Sequence, residues 1–205
     1  MSFIPEDRLG MGLAPSLSIA DNVILKDYMG DKWYNPFVNR KIARERATRI
    51  VKELEVVTPS IDTPVRRLSG GNVQKVLLGR EIDGDPNVIV TAYPVRGLDI
   101  NSSYAIYDIL NKEKQKGTGI LFVGEDLDVL LALCDKIMVL CHGKVMGVVH
   151  AEKTTKEELG LMMTGSLDLG ESKHKNYGIA SDSNIVEPTN EQVTDSVEGG
   201  GNDPQ

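Results

Sequence analysis

Residues 68–75 read Leu68-Ser69-Gly70-Gly71-Asn72-Val73-Gln74-Lys75, and no other stretch constrains the fold as strongly. Ser69 suits a helix N-cap, and Val73-Gln74-Lys75-Val76-Leu77-Leu78-Gly79-Arg80 suits the helix it would start. The first turn of a helix carries unpaired N–H groups and a partial positive charge, so it can hold a phosphate. Gly70 and Gly71 have no Cβ, which lets an anion come close to the backbone. The same residues also suit a plain capped helix after a tight turn. The rest of the chain has to decide between these readings.

Around that stretch, helix and strand signals alternate. Residues 1–14 begin like the continuation of a longer domain and pass into a loop containing Gly10 and Gly12. Ser18 caps a short helix through Leu25. Trp33, Tyr34 and Phe37 cluster around Pro36 in a loop, which suits either a protein interface or a small packing cluster. Ile42, Ala43, Ala47, Ile50, Val51 and Leu54 recur at helical spacing. The other face of that helix carries Arg40, Lys41, Arg44, Arg46, Arg49 and Lys52. Interleaved Glu45 and Glu53 favour a solvated face over phosphate or lipid contacts. Val88-Ile89-Val90-Thr91 and Ile120-Leu121-Phe122-Val123 are short, apolar and β-branched, the pattern of buried parallel strands. A helix is expected from Asn101 to Lys116 with Gly117 as its stop, and a helical turn or two from Leu127 to Leu133. A hairpin is expected across Cys141-His142-Gly143, then a last helix from Thr154 to Met163 closed by Gly165. This alternation implies a layered α/β core with parallel pairing.

Composition narrows the function classes. The formal net charge is −7. Residues 166–205 hold eight acids and two lysines and so carry −6, leaving a nearly neutral body that argues against nucleic acid as the main partner. That last stretch is polar and carries Gly199-Gly200-Gly201 near its end, the composition of a disordered acidic tail. No run approaches the roughly 20 apolar residues of a membrane-spanning helix, and the start has no basic-then-apolar signal pattern. Cys134 and Cys141 sit in apolar runs and read as buried thiols in a reducing cytosol. His142 and His150 have no acid or cysteine spacing of a metal site and read as structural.

The string at 68–75 closely resembles the signature motif of ATP-binding cassette (ABC) proteins, and its Asn-x-Gln-Lys ending is similar to that of importers of sugars and nucleosides. The resemblance covers about residues 3–165 and implies part of an ABC-type P-loop NTPase domain. It implies a Q-loop-like opening segment at 1–14 and a helical signature subdomain at 15–85. The remainder of the α/β nucleotide-binding core would be residues 86–165, with the disordered tail at 166–205. No G-x-x-x-x-G-K-[ST] occurs in the sequence, so the first core strand, phosphate loop and its helix are expected to lie upstream of this segment.

Other family positions are altered. Val88-Ile89-Val90-Thr91-Ala92-Tyr93-Pro94-Val95-Arg96-Gly97-Leu98-Asp99 resembles the Walker B strand and D-loop. Ala92 and Tyr93 stand where the family has the Mg²⁺-binding acid and the catalytic base. Neither can replace a carboxylate there. Glu125, in Phe122-Val123-Gly124-Glu125-Asp126-Leu127-Asp128, stands in the place of the switch histidine, and Glu6 in that of the Q-loop glutamine.

These departures resemble the second, degenerate domain of importer ATPase subunits, most closely the nucleoside branch. The resemblance implies that Ser69, Gly70 and Gly71 donate to the γ-phosphate of an ATP. Asn72 would shape their loop, Asp99 would contact a second nucleotide-binding domain, and that partner would hold most of the Mg²⁺. It also implies that Glu6, Asp7 and Arg8 and the aromatic loop face integral membrane permease subunits at the cytoplasmic face of the membrane, with an extracytoplasmic solute-binding protein as an indirect partner. A non-catalytic module, such as a truncated or split gene product pairing with an intact ATPase subunit, fits the same residues. An unrelated α/β binding protein would need four motifs to fall in order by chance.

Overall fold

A computed structural model describes residues 1–26 and 39–169. The aromatic cluster of Trp33, Tyr34 and Phe37 and all of the acidic tail beyond residue 169 lie outside the described residues. Three short strands form a parallel sheet in the order β1 (Ser2–Ile4), β2 (Val88–Ala92), β3 (Gly119–Val123). Ile4 pairs with Thr91, and Thr91 with Phe122, so the layered α/β expectation holds.

The helices between these strands build one face of the core. α3 (Gly70–Ile82) is buried nearly all round, with Val76, Leu77 and Leu78 fully enclosed. A helix apolar on most sides belongs at a centre, and α3 packs against β1, α1 (Ile19–Ile24), α2 (Arg40–Glu53) and α4 (Ile100–Gln115). α2 buries Ala43, Ala47 and Ile50 at helical spacing and approaches α3 closely at Gly79. A Cβ on Gly79 would lie 2.9 Å from Leu54 Cδ1 and nearer still to Ile50. Ser18 and Ser69 cap α1 and α3, as their sequence positions predict.

A second apolar cluster holds the C-terminal part. β4 (Lys136–Cys141) and β5 (Lys144–His150) form an antiparallel hairpin turning at His142 and Gly143, both at positive φ. α5 (Leu127–Leu133) and α6 (Lys156–Met163) cover it through Leu130, Leu159 and Met162. Phe122 of β3 touches both clusters. No helix among the described residues is long and apolar enough to cross a membrane.

Several expectations are corrected. The glycine-rich stretch after Asp7 is a π-helical turn, Arg8–Gly12, because the Asp7 carboxylate accepts from the amides of Leu9 and Gly10. The basic face of α2 is not simply solvated: Arg46 and Arg49 close on Asp83, and Arg44 pairs with Asp62. β3 is not a buried strand. Among the described residues it is an edge with one covered face, and its residues alternate between half-buried and exposed. Cys134 and Cys141 are half-buried rather than buried, and free. Thr155, not Thr154, caps the last helix, while the Thr154 hydroxyl donates to Glu158. The packed body runs past 165: Leu167 and Leu169 pack on the hairpin, and Leu169 N–H donates to Met146 O at 2.9 Å.

Candidate functional site

Two helix starts converge at the signature stretch. At the first, Ser69 Oγ accepts from Asn72 N at 3.4 Å and from Asn72 Nδ2 at 2.9 Å. Asn72 Oδ1 in turn accepts from Val57 N at 2.9 Å, tying the turn to the segment that follows α2. At the second, Asp99 caps α4. Its Oδ1 accepts from Ser102 N at 2.9 Å, and Ser102 Oγ donates to its Oδ2 at 2.6 Å. These bonds, the Ser102 hydroxyl first, hold the Asp99 carboxyl below the usual carboxylate range.

Gly71 and Ser102 join the two starts. A Cβ on Gly71 would lie 2.9 Å from Ser102 Cβ and closer to its Oγ. Gly71 is buried, whereas Ser69 and Gly70 are exposed. The two adjacent glycines therefore differ: the second serves helix packing, and the first faces outward. The starts of two helices stand side by side here; that of α4 is already capped by the Asp99 carboxylate, while Ser69 and Gly70 leave the start of α3 open to an anion. The residues present fit a phosphate group.

A second set of side chains fixes this corner from behind. Arg8 Nε donates to Gln74 Oε1 at 2.9 Å, and its Nη2 donates to the Arg96 carbonyl. Arg96 pairs with Glu6 and stacks over the Tyr93 ring, 5.8 Å from its centroid. The opening segment, the D-loop-like turn and α3 are thus braced together. Glu6 and Arg8 are engaged within the chain, and Asp7 is spent on its own helical turn. The sequence reading missed the Arg8–Gln74 and Glu6–Arg96 links, which span 66 and 90 residues and leave no local pattern.

The strand-end positions are different in kind. Ala92 closes β2 without a polar side chain. Tyr93 follows at φ 48°, its N–H donating to Val123 O at 2.8 Å. That left-handed backbone is uncommon for an aromatic residue. Ala92 and Tyr93 do not fit a magnesium ion, which takes carboxylate or other oxygen ligands with strict geometry. Glu125 is exposed, beyond the end of β3.

No family model matches the sequence. The chain is 34% identical over 167 residues to the ribose import ATP-binding protein RbsA 1 of Rubrobacter xylanophilus, covering 81% of this chain and 34% of that one. It is 34% identical over 165 residues to the guanosine import ATP-binding protein NupO of Bacillus subtilis, covering 80% and 32%. It spans about a third of the length of these curated relatives. Among solved structures, the dimeric post-hydrolysis state of the ATP-binding cassette MJ0796, bound to ADP and Pi, matches with a TM-score of 0.61 at 24% identity. That match covers 73% of this chain and 62% of the solved one. The chain therefore has the ATP-binding cassette fold, and its sequence is homologous to part of the ATP-binding proteins of sugar- and nucleoside-importer type.

Proposed function

We propose that this chain, as a homologue of the ATP-binding proteins of sugar and nucleoside importers, is part of an importer's ATP-binding component and presents the signature face of a composite ATP site. The observation that carries this reading is the exposed pair Ser69 and Gly70 at the start of α3, set beside the start of α4. In the proposed assembly a second nucleotide-binding domain supplies the phosphate loop, the Mg²⁺-binding acid and the base. Ser69 Oγ and the Gly70 N–H donate to the γ-phosphate; Gly71 and Asn72 keep the two donors in place. Asp99 lies on the same surface and meets the partner domain. ATP held there supplies the energy that closes the two domains on each other.

The chain's own strand-end positions, Ala92, Tyr93 and Glu125, take no part in hydrolysis in this reading. It is the part of a degenerate second domain that stimulates its partner. The Ala-Tyr-Pro-Val-Arg-Gly-Leu-Asp string at 92–99 and Glu125-Asp126-Leu127-Asp128 support a nucleoside over a sugar as cargo. We assign residues 5–13 to the permease contact at the cytoplasmic membrane face, with the solute-binding protein reached only through the permease.

Ser69→Arg tests the assignment. In the reconstituted importer it should abolish substrate uptake and ATP turnover, because the bulk falls where phosphate and partner backbone meet. In the chain alone it should cost only the cap, about 1 kcal/mol. Uptake and turnover near wild type would remove the signature from the nucleotide site; an unfolded chain would make Ser69 a structural cap only. The loss of both carboxylates at 92 and 93 also supports a purely non-catalytic interaction module. Capture of an intact ATPase subunit without any change in that subunit's turnover would select this second reading.

A further inference from the structure

Arg8 is a half-buried cation, and among the described residues no carboxylate pairs with it. The acids next to it in the chain are committed elsewhere: Glu6 pairs with Arg96, and Asp7 caps its own turn. Across the corner, the Asp99 carboxylate is bound to Ser102. Burial pushes the Arg8 guanidinium below the usual arginine value, with no acid acting the other way. It stays charged at neutral pH all the same. A partly desolvated charge is costly unless an anion meets it.

The guanidinium lies along the face of α3 that carries Gly70 and Gln74, four residues apart and so one above the other. Its Nε donates to Gln74 Oε1 at 2.9 Å, and its Nη2 to the Arg96 carbonyl. Nη1 is left beside the exposed Gly70, 3.7 Å from where a Cβ on that residue would stand. Gln74 adds a second unmet donor. Arginine has no acceptor, so the amide oxygen has to face Nε. That leaves Gln74 Nε2, on a fully buried side chain, with no acceptor among the described residues. An unpaired cation and an unmet amide donor thus flank a helix start that is open to an anion.

We infer that Arg8 is a phosphate-binding residue of the signature corner, its Nη1 joining Ser69 Oγ and the Gly70 N–H on the terminal phosphate of an ATP held by the partner domain. The inference rests on the composite site proposed above and adds to it a full positive charge, where Ser69 and Gly70 offer neutral donors only. Arginine suits the role better than lysine, because two arms of its planar fork are already held by Gln74 and Arg96 and so fix the third. Arg8 also belongs to the stretch assigned to the permease contact. One side chain then joins the permease-facing turn to the phosphate corner, and a shift of that turn moves a phosphate ligand.

The test titrates the 205-residue chain with tripolyphosphate and follows the Gly70 amide and Arg8 Nε–H resonances. Both should shift with one affinity. Arg8→Gln should weaken binding by about tenfold or more, the loss of one charge-assisted contact. Arg8→Lys keeps the charge without the fork and should recover part of that loss. Gln74→Glu gives Arg8 the carboxylate it lacks. It should weaken tripolyphosphate to a similar degree while melting at or above the wild-type temperature, opposite signs that a bracing role alone does not produce. Wild-type affinity in Arg8→Gln, with the Gly70 amide still shifting, would overturn the inference and leave the signature reading standing. Equal loss of binding in Arg8→Gln and Arg8→Lys, matched by equal loss of melting temperature, would overturn it too and make Arg8 a brace. No shift at Gly70 would remove phosphate from this corner, and the composite-site reading with it.

Discussion

Replacing Gly71 by alanine separates packing from ligand contact at the signature, because its neighbour Gly70 provides the control. The Cβ added at Gly71 falls 2.9 Å from Ser102 Cβ, with Ser102 Oγ nearer still. Ser102 cannot simply turn away: its hydroxyl is held by Asp99 Oδ2 at 2.6 Å and its amide by Asp99 Oδ1 at 2.9 Å. Relief requires α3 and α4 to part or the α4 cap to open. Overpacking of this kind costs about 1–3 kcal/mol. For a body near 150 residues that is roughly 2–12 °C in Tm, at about 2–4 °C per kcal/mol. A Cβ at Gly70 meets only the far end of Leu98 at 3.3 Å and Arg8 Nη1 at 3.7 Å. Both can yield, and alanine within a helix is favoured over glycine by about 0.5–1 kcal/mol. Gly70→Ala should therefore be neutral or slightly stabilising. Urea unfolding of the two variants, read as a change in midpoint at constant slope, makes the comparison. Ser102→Gly in the Gly71→Ala background should recover part of the loss, a coupling on the order of 1 kcal/mol. Equal stability of the two alanine variants, or no coupling to Ser102, would refute the packing argument and return Gly71 to a purely ligand-facing role.

Three further outcomes are expected. The Asp99 carboxyl is held below the ordinary value by Ser102, so its cap is fully present above an unfolded pKa of about 3.9 and is lost as pH falls through the lower folded value. The Ser102 amide resonance should titrate in that acid range and stay flat at neutral pH; a midpoint at or above the ordinary carboxylate value would contradict the cap geometry. The 205-residue chain by itself should hydrolyse ATP no faster than a blank, since it has no G-x-x-x-x-G-K-[ST] and carries Ala92 and Tyr93 at the strand end; magnesium-dependent turnover by contaminant-free protein would sink that expectation. Gly79→Val should destabilise the chain by about 1–3 kcal/mol in thermal unfolding, because α2 crosses α3 against that bare position, with Leu54 Cδ1 2.9 Å from an added Cβ. A wild-type melting curve would show that Ile50 and Leu54 yield without cost.

What was legible in the sequence is what local chemistry encodes. Ser18 and Ser69 announce helix starts because an N-cap needs only a side-chain oxygen within reach of an amide a few residues on. Gly117, Gly143 and Gly165 mark stops and turns because each takes a positive φ. The strands at 88–92 and 119–123 were legible as apolar β-branched runs, but such a run says nothing about how many of its faces are covered. That is why Leu121 and Val123 read as core and stand exposed. Likewise the charge pattern of α2 could not show that Arg46 and Arg49 meet Asp83 more than 30 residues away. The tail composition that begins at Ser166 could not show that Leu167 and Leu169 lie down on the hairpin. Gly71 is the subtler case. A bare Cα beside a helix start invites a phosphate reading, and only the neighbouring Ser102 reveals a packing reason for it.

The residues at the altered strand end have a place in this account. Tyr93 stands where the family resemblance puts a catalytic base, yet its ring is what Arg96 stacks on. Arg96 in turn pairs with Glu6, at the position of the Q-loop glutamine, and its carbonyl receives Arg8, whose other arm holds Gln74 of α3. A carboxylate at 93 could not offer that aromatic face, and it would draw Arg96 into an ion pair in competition with Glu6. Tyr93 thus adds one member to a chain of contacts ending on the helix that begins with Ser69. Exposed ion pairs of this kind add little to stability singly. Strung together, they link three segments: the opening stretch, the turn after β2 and α3 at Gln74.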